Sequence, residues 1–322
     1  MPFTFLMLPP QTEITRAWGK RLAADLPNVR VVVAENESAA EQVIGQAEAA
    51  YGVIPAQLLA KAGRLRWLQS PQAAPPAGYY YPALIAHPAI VTNMREIYND
   101  HIGAHIMAFV LAFARDFQTY IPQQLHREWK PRRLDSGVVH LPEATALIVG
   151  VGGIGAEAAR LAAAFGMRVI ATDARRTTPP EGVAELHRPE ALDDLLARAD
   201  FVILTVPHTP TTEGFMNRAR FRRMKPSAFF INIGRGKTTR LDDLVAALQA
   251  GELAGAGLDV FETEPLPDDH PLWTMPNVLI TPHTAGFGPY LNDRRFQIIL
   301  DNCRAFEAGH PLRNVVDKAN WF

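Results

Sequence analysis

Short apolar runs alternate with segments of helical spacing along much of the 322-residue chain. From residue 144 onward, strands are predicted by the runs TALIVG, MRVIATD, FVILTVP, AFFINI, AGAGLDV and NVLITPH. Helices are predicted between most of these runs, for example over IGAEAARLAAAF and LDDLVAALQA. Continuously apolar strands separated by helices indicate a parallel sheet that is covered on both faces. This part of the chain therefore predicts a doubly wound α/β domain.

The first ninety residues show a weaker form of the same alternation, which predicts a second, smaller α/β domain. The segment DHIGAHIMAFVLAFARDFQTYI is too long for a strand and predicts one long helix that links the two domains. From about Tyr290 the pattern is helical again without a strand of its own, so this segment should return to the first domain. We expect a discontinuous domain of residues 1–96 and 291–322, and a second domain of residues 97–290.

Composition narrows the classes of partner. The chain is 48% hydrophobic and 20% charged, and its formal net charge of -1 provides no positive field for nucleic acid or an anionic membrane. The start, MPFTFLMLPP, has no basic region, and no long uncharged apolar stretch follows, so we expect a cytoplasmic protein. The single cysteine, Cys303, excludes an internal disulfide. His101 and His105 have zinc-chelating spacing, but no third ligand is evident, and we predict no metal site.

A glycine-rich motif follows the first strand of the doubly wound domain and opens a helix. It comprises Gly150, Gly152 and Gly155, which suit a tight turn, a close approach to a pyrophosphate and close packing of helix on strand. The N–H groups at the start of the helix would face the anion. In this strand–turn–helix context the motif predicts a Rossmann-type dinucleotide site, whereas a purely structural glycine turn is the alternative.

The next strand ends in Asp173, whose carboxylate is placed to accept hydrogen bonds from an adenosine ribose. A negative charge there would repel a 2′-phosphate, so Asp173 favours NAD over NADP. Arg175 and Arg176 follow directly, and an arginine at that position could instead bind the phosphate. We therefore predict NAD and keep NADP as the alternative.

Three polar residues stand at the ends of later strands: Arg235, Asp259 and His283. Ligands of such sheets bind outside the carboxyl ends of the strands. Arginine suits a carboxylate or carbonyl, and histidine suits proton transfer near neutral pH. A carboxylate beside the imidazole would orient it, and Asp259, Glu262 and Glu264 all remain candidates for that partner.

Several motifs in series resemble the cofactor domain of the D-isomer-specific 2-hydroxyacid dehydrogenases. After the glycine motif come LTVPHTPTT, FFINIGRG, GAGLDVFETEPLPDDHPLW and NVLITPHTAG, in matching order and spacing. The resemblance implies that Arg235 binds the carboxylate and carbonyl of a 2-keto acid, that His283 is the general acid/base, and that Glu264 is its partner. It implies that Asp259 holds the nicotinamide carboxamide, and that Glu262 is a surface residue. Further residues implied in cofactor binding are Gly153, Ile154, Arg175, Val206, Pro207, Thr212, Ile233, Gly234 and Ala285.

Two stretches depart from the usual family pattern. SPQAAPPAGYYYP stands where the family has Gly-Ala-Gly-Val-Asp, and we expect the substrate carboxylate to bind backbone amides near Gln72, Ala73 and Ala74, together with Arg235 and His283. Tyr79–Tyr81 either shape a pocket for a bulkier substrate or simply pack. In the second stretch, VTNMREIYNDHIGAH, the expected cleft-facing residues are Arg95, Glu96, Tyr98 and Asn99.

We conclude that the sequence predicts two doubly wound parallel-sheet domains, a Rossmann-type cofactor domain and a smaller flavodoxin-like substrate domain. The expected reaction interconverts a 2-keto acid and a D-2-hydroxy acid with NAD(H). Glyoxylate, hydroxypyruvate or a larger apolar keto acid is the expected substrate, and the resemblance implies a homodimer. The alternatives are a dinucleotide-sensing protein of the corepressor type, disfavoured because the chain stops at Phe322 without a recruiting tail, and another nicotinamide dehydrogenase on the same fold.

Overall fold

Residues 2–73, 78–132 and 137–320 are described by the computed structural model of the chain. The chain divides into two compact units, Met1–Ile97 with Pro289–Phe322, and Tyr98–Gly288. The domain boundaries expected from the sequence, at 96/97 and 290/291, stay a prediction. Among the described residues, none of the helices combines the length and apolar character that a membrane-spanning segment needs.

The first unit contains a five-stranded parallel sheet. Its strands are β1 (Phe3–Met7), β2 (Val29–Val33), β3 (Ala49–Tyr51), β4 (Trp67–Gln69) and β5 (Ile90–Thr92). They are arranged in the order β2-β1-β3-β4-β5, and every neighbouring pair is parallel. β1 is buried along its whole length, as its unbroken apolar sequence predicts for a strand covered on both faces.

Helices α1 (Glu13–Asp25), α2 (Glu37–Ile44), α3 (Ala56–Leu59) and α4 (Pro82–Ala86) connect these strands. The last helix of the chain, α11 (Leu291–Ala308), also belongs to this unit. Its Phe306 packs edge-on against Phe3 of β1 at a centroid distance of 4.8 Å. The guanidinium of Arg21 on α1 lies 3.8 Å from the ring centroid of Phe296.

The second unit contains a seven-stranded parallel sheet. Its strands are β6 (Thr145–Val149), β7 (Arg168–Thr172), β8 (Glu185–His187), β9 (Phe201–Leu204), β10 (Phe229–Asn232), β11 (Gly255–Leu258) and β12 (Val278–Ile280). The order is β12-β11-β10-β9-β6-β7-β8, so the direction of winding reverses between β6 and β9. This reversal is the switch point at which doubly wound sheets bind ligands. The predicted α/β class with two parallel sheets is confirmed.

Helices cover both faces of this sheet. They are α5 (Asn99–Ala114), α7 (Gly153–Ala164), α8 (Leu192–Leu196), α9 (Arg218–Phe221) and α10 (Leu241–Gln249). A further helix, α6 (Phe117–Leu125), follows α5 and has no buried residue. One apolar layer joins α5 and α7 to the sheet through side chains such as Phe109, Phe113 and Ala158. The layer on the other face includes Leu195 of α8 and Leu244 of α10.

The prediction of one long linking helix was wrong, because the segment forms two helices. The break lies at Asp116, whose backbone is left-handed with φ 62°. Its side chain is fully buried, and Oδ1 accepts hydrogen bonds from Gln118 Nε2 and Thr119 Oγ1. The carboxylate thus bonds two side chains of the first turn of α6, while the backbone N–H groups of Thr119 and Tyr120 donate to the backbone oxygen of Asp116.

Candidate active site

The glycine-rich turn connects β6 to α7 at the switch point. Gly150 has φ 92°, and a Cβ there would lie 2.8 Å from Val206 Cγ1. A Cβ on Gly155 would lie 2.0 Å from Gly150 O, so only glycine allows this packing. Around Gly152, by contrast, no described residue other than its chain neighbours has a heavy atom within 4 Å of where a Cβ would be. The open face at Gly152, together with the unpaired N–H groups at the start of α7, fits a pyrophosphate.

Asp173, directly after β7, is engaged by the backbone around it. Its Oδ1 accepts hydrogen bonds from Arg175 N and Arg176 N, both at 2.8 Å, and its Oδ2 accepts one from Val151 N at 2.9 Å. Burial alone would raise the pKa of this carboxyl, but the three amide donors and the charge of Arg175 outweigh burial and lower it. Asp173 therefore holds a negative charge and also clamps the glycine-rich turn to the end of β7.

The loop after β9 carries the predicted cofactor residues Val206, Pro207 and Thr212. Thr212 Oγ1 donates to Pro207 O at 2.7 Å and accepts from Thr209 N at 2.7 Å. These bonds close a tight turn beside the glycine-rich loop, which Val206 contacts at Gly150. Ile233 and Gly234 lie at the end of the neighbouring strand β10, and a Cβ on Gly234 would lie 2.7 Å from Val206 O.

Arg235 stands between two glycines because the chain on both sides of it touches another backbone. A Cβ on Gly236 would lie 1.8 Å from Phe261 O, which only glycine tolerates. The buried Asn232 fixes the turn by accepting from Gly234 N at 3.0 Å and donating to Arg235 O at 3.2 Å. Arg235 is half-buried, and its Nη1 donates to Gly234 O at 2.6 Å. Burial lowers the pKa of Arg235 and the charge of Glu264 opposes this, so the guanidinium keeps its charge near pH 7.

Glu264 and His283 form a direct pair. His283 Nδ1 lies 2.7 Å from Glu264 Oε2, and the two side chains are 49% and 36% exposed. Glu264 Oε1 accepts from Phe261 N at 2.9 Å, which fixes the carboxylate on the imidazole. Because Nδ1 is engaged by Glu264, Nε2 is the nitrogen left for proton transfer. The sequence left Asp259, Glu262 and Glu264 open as partners, and the structure pairs Glu264 with His283.

The other two candidate carboxylates have different contacts. Glu262 is exposed, and its Oε2 accepts from Leu241 N at the start of α10 at 2.7 Å. Asp259 is 1% exposed and accepts three hydrogen bonds from the loop that carries His283. One of those donors is the amide of Ala285, another predicted cofactor residue.

The predicted substrate residues of the first unit lie in a turn after β4. Gln72 O accepts from Met94 N at 3.4 Å, and Ala73 O accepts from Asn93 Nδ2 at 2.8 Å. Ala74 lies outside the described residues. Tyr79 and Tyr81 donate their hydroxyls to the backbone oxygens of Gly52 and Ile54, at 3.1 and 2.8 Å, which favours the packing interpretation of these two tyrosines.

Three polar residues at the site were not among the predicted residues: His105, Asn232 and Thr281. Asn99 was one of the expected cleft-facing residues. The Asn99 amide lies against Gly153, where a Cβ would be 2.6 Å from Asn99 Nδ2. Asn232 directly precedes the Gly-Arg-Gly motif, and Thr281 stands two residues before His283, so proximity in sequence was the available signal for both. His105 carries no such signal. Within the described ranges, no group of three or more His, Cys, Asp or Glu residues could hold a metal ion.

Comparison with known proteins places these features in a family. Residues 107–285 match the family described as D-isomer specific 2-hydroxyacid dehydrogenase, NAD binding domain. A glyoxylate reductase from Korarchaeum cryptofilum is 40% identical over 233 residues, which cover 71% of this chain and 69% of that protein. Glyoxylate/hydroxypyruvate reductase B from Klebsiella pneumoniae is 38% identical over 255 residues, which cover 78% and 76%.

A solved structure also aligns with this chain over its whole length. A D-isomer specific 2-hydroxyacid dehydrogenase from Xanthobacter autotrophicus, solved in complex with NADPH and MES, superposes with a TM-score of 0.85. It is 29% identical in sequence, and the alignment covers 100% of both chains.

Proposed function

The chain belongs to the D-isomer specific 2-hydroxyacid dehydrogenase family, and we propose that it reduces glyoxylate to glycolate and hydroxypyruvate to the D-2-hydroxy acid, D-glycerate. As a member of this family it is an NAD(P)-dependent 2-keto acid reductase, and the alternative of a corepressor-type sensor is not favoured. The observation that carries the proposal is the Glu264–His283 pair at 2.7 Å, on the same unit as Arg235 and the open glycine-rich turn.

In the proposed reaction, His283 acts as the general acid through Nε2. Bound NAD(P)H supplies the hydride that the keto carbon receives. As the carbonyl becomes an alkoxide, His283 donates a proton to its oxygen, and the products are the hydroxy acid and NAD(P)⁺. Glu264 holds Nδ1 and stabilises the positive charge of the ring before the transfer. In the reverse direction the same nitrogen removes the hydroxyl proton.

Arg235 is proposed to bind the substrate carboxylate and the carbonyl oxygen that develops negative charge. Its planar fork offers paired N–H donors, and half-burial strengthens their effect on the charge. The expectation that backbone amides near Gln72, Ala73 and Ala74 bind the carboxylate stays a prediction. Asp259 and Ala285 are proposed to adjoin the nicotinamide, with Gly150 to Gly155 and the loop of Val206 and Pro207 holding the rest of the dinucleotide.

The preference between NADH and NADPH is proposed to be small. Asp173 carries a negative charge that disfavours a 2′-phosphate, yet Arg175, Arg176 and Arg188 surround it. Arg176 Nε donates to Val151 O at 3.0 Å, and Arg188 Nη1 donates to Asp173 O at 3.4 Å. These cations offset the repulsion. The predicted preference for NADH is kept, with NADPH as a working second cofactor, like the one bound in the Xanthobacter enzyme.

We also propose a homodimer formed through α6 and the segment after it. This surface exposes Phe117 and Ile121 at 51% each, Leu125 at 77% and Trp129 at 95%. Large apolar side chains this exposed and this close together are typical of an interface. Light scattering should give twice the chain mass, and the double variant Leu125→Ser with Trp129→Ser should give the single mass. A wild-type monomer at micromolar concentration would refute the dimer.

The cytoplasmic location stays a prediction.

The decisive experiment measures loss of NADH and NADPH absorbance with glyoxylate, hydroxypyruvate, pyruvate, phenylpyruvate and 2-ketoisocaproate. Turnover with the first two acids, lost in His283→Ala while NADH still binds, is the expected result. Preference for the last two would assign a larger apolar substrate. Absence of turnover with every acid, despite cofactor binding, would overturn the proposed function.

A further inference from the structure

The loop that carries His283 is held by a single buried carboxylate. His283 has φ 54°, a left-handed conformation that is uncommon for residues other than glycine. Asp259 Oδ1 accepts from Thr281 Oγ1 at 2.6 Å and from Thr284 N at 2.8 Å, and Oδ2 accepts from Ala285 N at 3.0 Å. These bonds bracket His283 on both sides, so the orientation of the carboxylate sets the position of the loop.

The same network extends to helix α5. His105 Nε2 lies 2.9 Å from Thr281 Oγ1. Because the single hydroxyl proton of Thr281 is used toward Asp259, its oxygen accepts from His105, which places a proton on Nε2. Nε2 is 3.9 Å from Asp259 Oδ1, too far for a direct hydrogen bond, so the contact between His105 and the carboxylate runs through Thr281.

The surroundings of His105 favour one protonation state of its imidazole ring. The ring packs edge-on against Phe109 at a centroid distance of 4.9 Å. Burial lowers the pKa of His105, and the charge of Asp259 only partly opposes this effect. The imidazole is therefore neutral at pH 7, with its one proton on Nε2. A leucine or phenylalanine would pack against Phe109 as well but would supply no donor to Thr281.

We propose that His105 is a positioning residue for the loop of His283, acting through the hydroxyl of Thr281 on the carboxylate of Asp259. This inference rests on the proposed function for its effect on turnover. Its structural part, the immobilisation of residues 281–285, stands without it. A loosened loop misplaces the acid, and a small misplacement slows proton transfer more than it weakens binding.

The test compares His105→Leu with His105→Gln, whose amide keeps a donor where Nε2 stands. His105→Leu should lower kcat about 10- to 100-fold, with KM for glyoxylate and Kd for NADH changed less than about threefold. His105→Gln should recover most of kcat. Thr281→Val removes both hydrogen bonds of the hydroxyl, so it should lower kcat at least as much, and adding His105→Leu to Thr281→Val should lower kcat no further. His310→Leu, an exposed histidine of the other unit, is the matched control.

Hydrogen exchange supplies a second measurement that needs no turnover. In His105→Leu and Thr281→Val the amides of Thr284 and Ala285 should exchange faster than in the wild type, and in His105→Gln they should not. Unchanged exchange in the first two variants, or equal defects in His105→Gln and His105→Leu, would overturn the positioning role. If the wild type reduces no keto acid, the proposed function fails, and the exchange rates alone decide the role of His105.

Discussion

Replacing Asp259 by asparagine should loosen the loop that carries His283 and lower the stability of the second unit. The substitution keeps the shape of the side chain and removes one acceptor. Asp259 Oδ1 accepts from Thr281 Oγ1 and Thr284 N, and Oδ2 accepts from Ala285 N. An asparagine with its oxygen in the Oδ1 position keeps two of these bonds. Its NH₂ group then faces the N–H of Ala285, which places two donors against each other.

The cost follows from burial, since Asp259 is 1% exposed and no water replaces the lost acceptor. A hydrogen bond to a charged group contributes about 1.5–3 kcal/mol to the free energy of unfolding. Because the substitution also leaves the buried N–H of Ala285 without an acceptor, the lost stability rises to about 3 kcal/mol. Asparagine avoids the desolvation cost of a buried charge, which recovers part of the lost stability. We therefore expect the free energy of unfolding to fall by about 2 kcal/mol. For a unit of this size that corresponds to a melting temperature lower by about 4–8 °C.

The assay combines a thermal melt with steady-state kinetics, and Asp268→Asn, an exposed carboxylate on a nearby loop, is the control. Asp259→Asn should also lower kcat about 10- to 100-fold, because His283 is misplaced. A melting temperature within about 1 °C of the wild type, together with unchanged kcat, would refute the anchoring role that the three hydrogen bonds indicate.

Three further outcomes are expected. Arg235→Lys should lower kcat/KM for glyoxylate about 10- to 100-fold, because a point charge replaces a paired fork; unchanged kinetics would remove Arg235 from substrate binding. Arg176→Ala should raise KM for NADPH more than KM for NADH, and equal effects would contradict a contact with the 2′-phosphate. The pKa of Asp173 is lowered in the folded chain. Its stabilising contribution relative to Asp173→Asn should therefore be complete above about pH 4 and decline as pH falls toward the folded pKa. Urea midpoints from pH 7 to 3 measure this, and a difference independent of pH would contradict it.

Local patterns predicted the sheet of the second unit well. Its central strands are continuously apolar, and the glycine-rich motif marks the turn after β6, so the alternation of strand and helix is readable without tertiary information. The edge strand β8 (Glu185–His187) was missed. It has three residues, and two of them, Glu185 and His187, pair with each other at 2.9 Å. A strand so short and polar has no hydrophobic period to detect.

The break between α5 and α6 could not be predicted from periodicity, because no glycine or proline stands at Asp116. The apolar spacing continues across it, and only the folded chain shows the buried carboxylate bonding Gln118 and Thr119. Aspartate adopts the left-handed backbone conformation seen at Asp116 more readily than most residues other than glycine. A mid-helix aspartate among apolar neighbours is therefore a weak indication of a break.

The candidate site shows the same division between local and long-range information. Arg235, Asp259 and His283 were predicted together because the carboxyl ends of neighbouring parallel strands meet at one edge of a sheet. Which carboxylate pairs with His283 was not decided by the residues themselves, since Asp259, Glu262 and Glu264 lie within six positions of one another. In the folded chain the three carboxylates have different donors. Leu241 N donates to Glu262, the loop of His283 donates to Asp259, and Glu264 pairs with the imidazole. Pairing is thus determined by which amides each carboxylate meets, and those amides belong to segments distant in sequence.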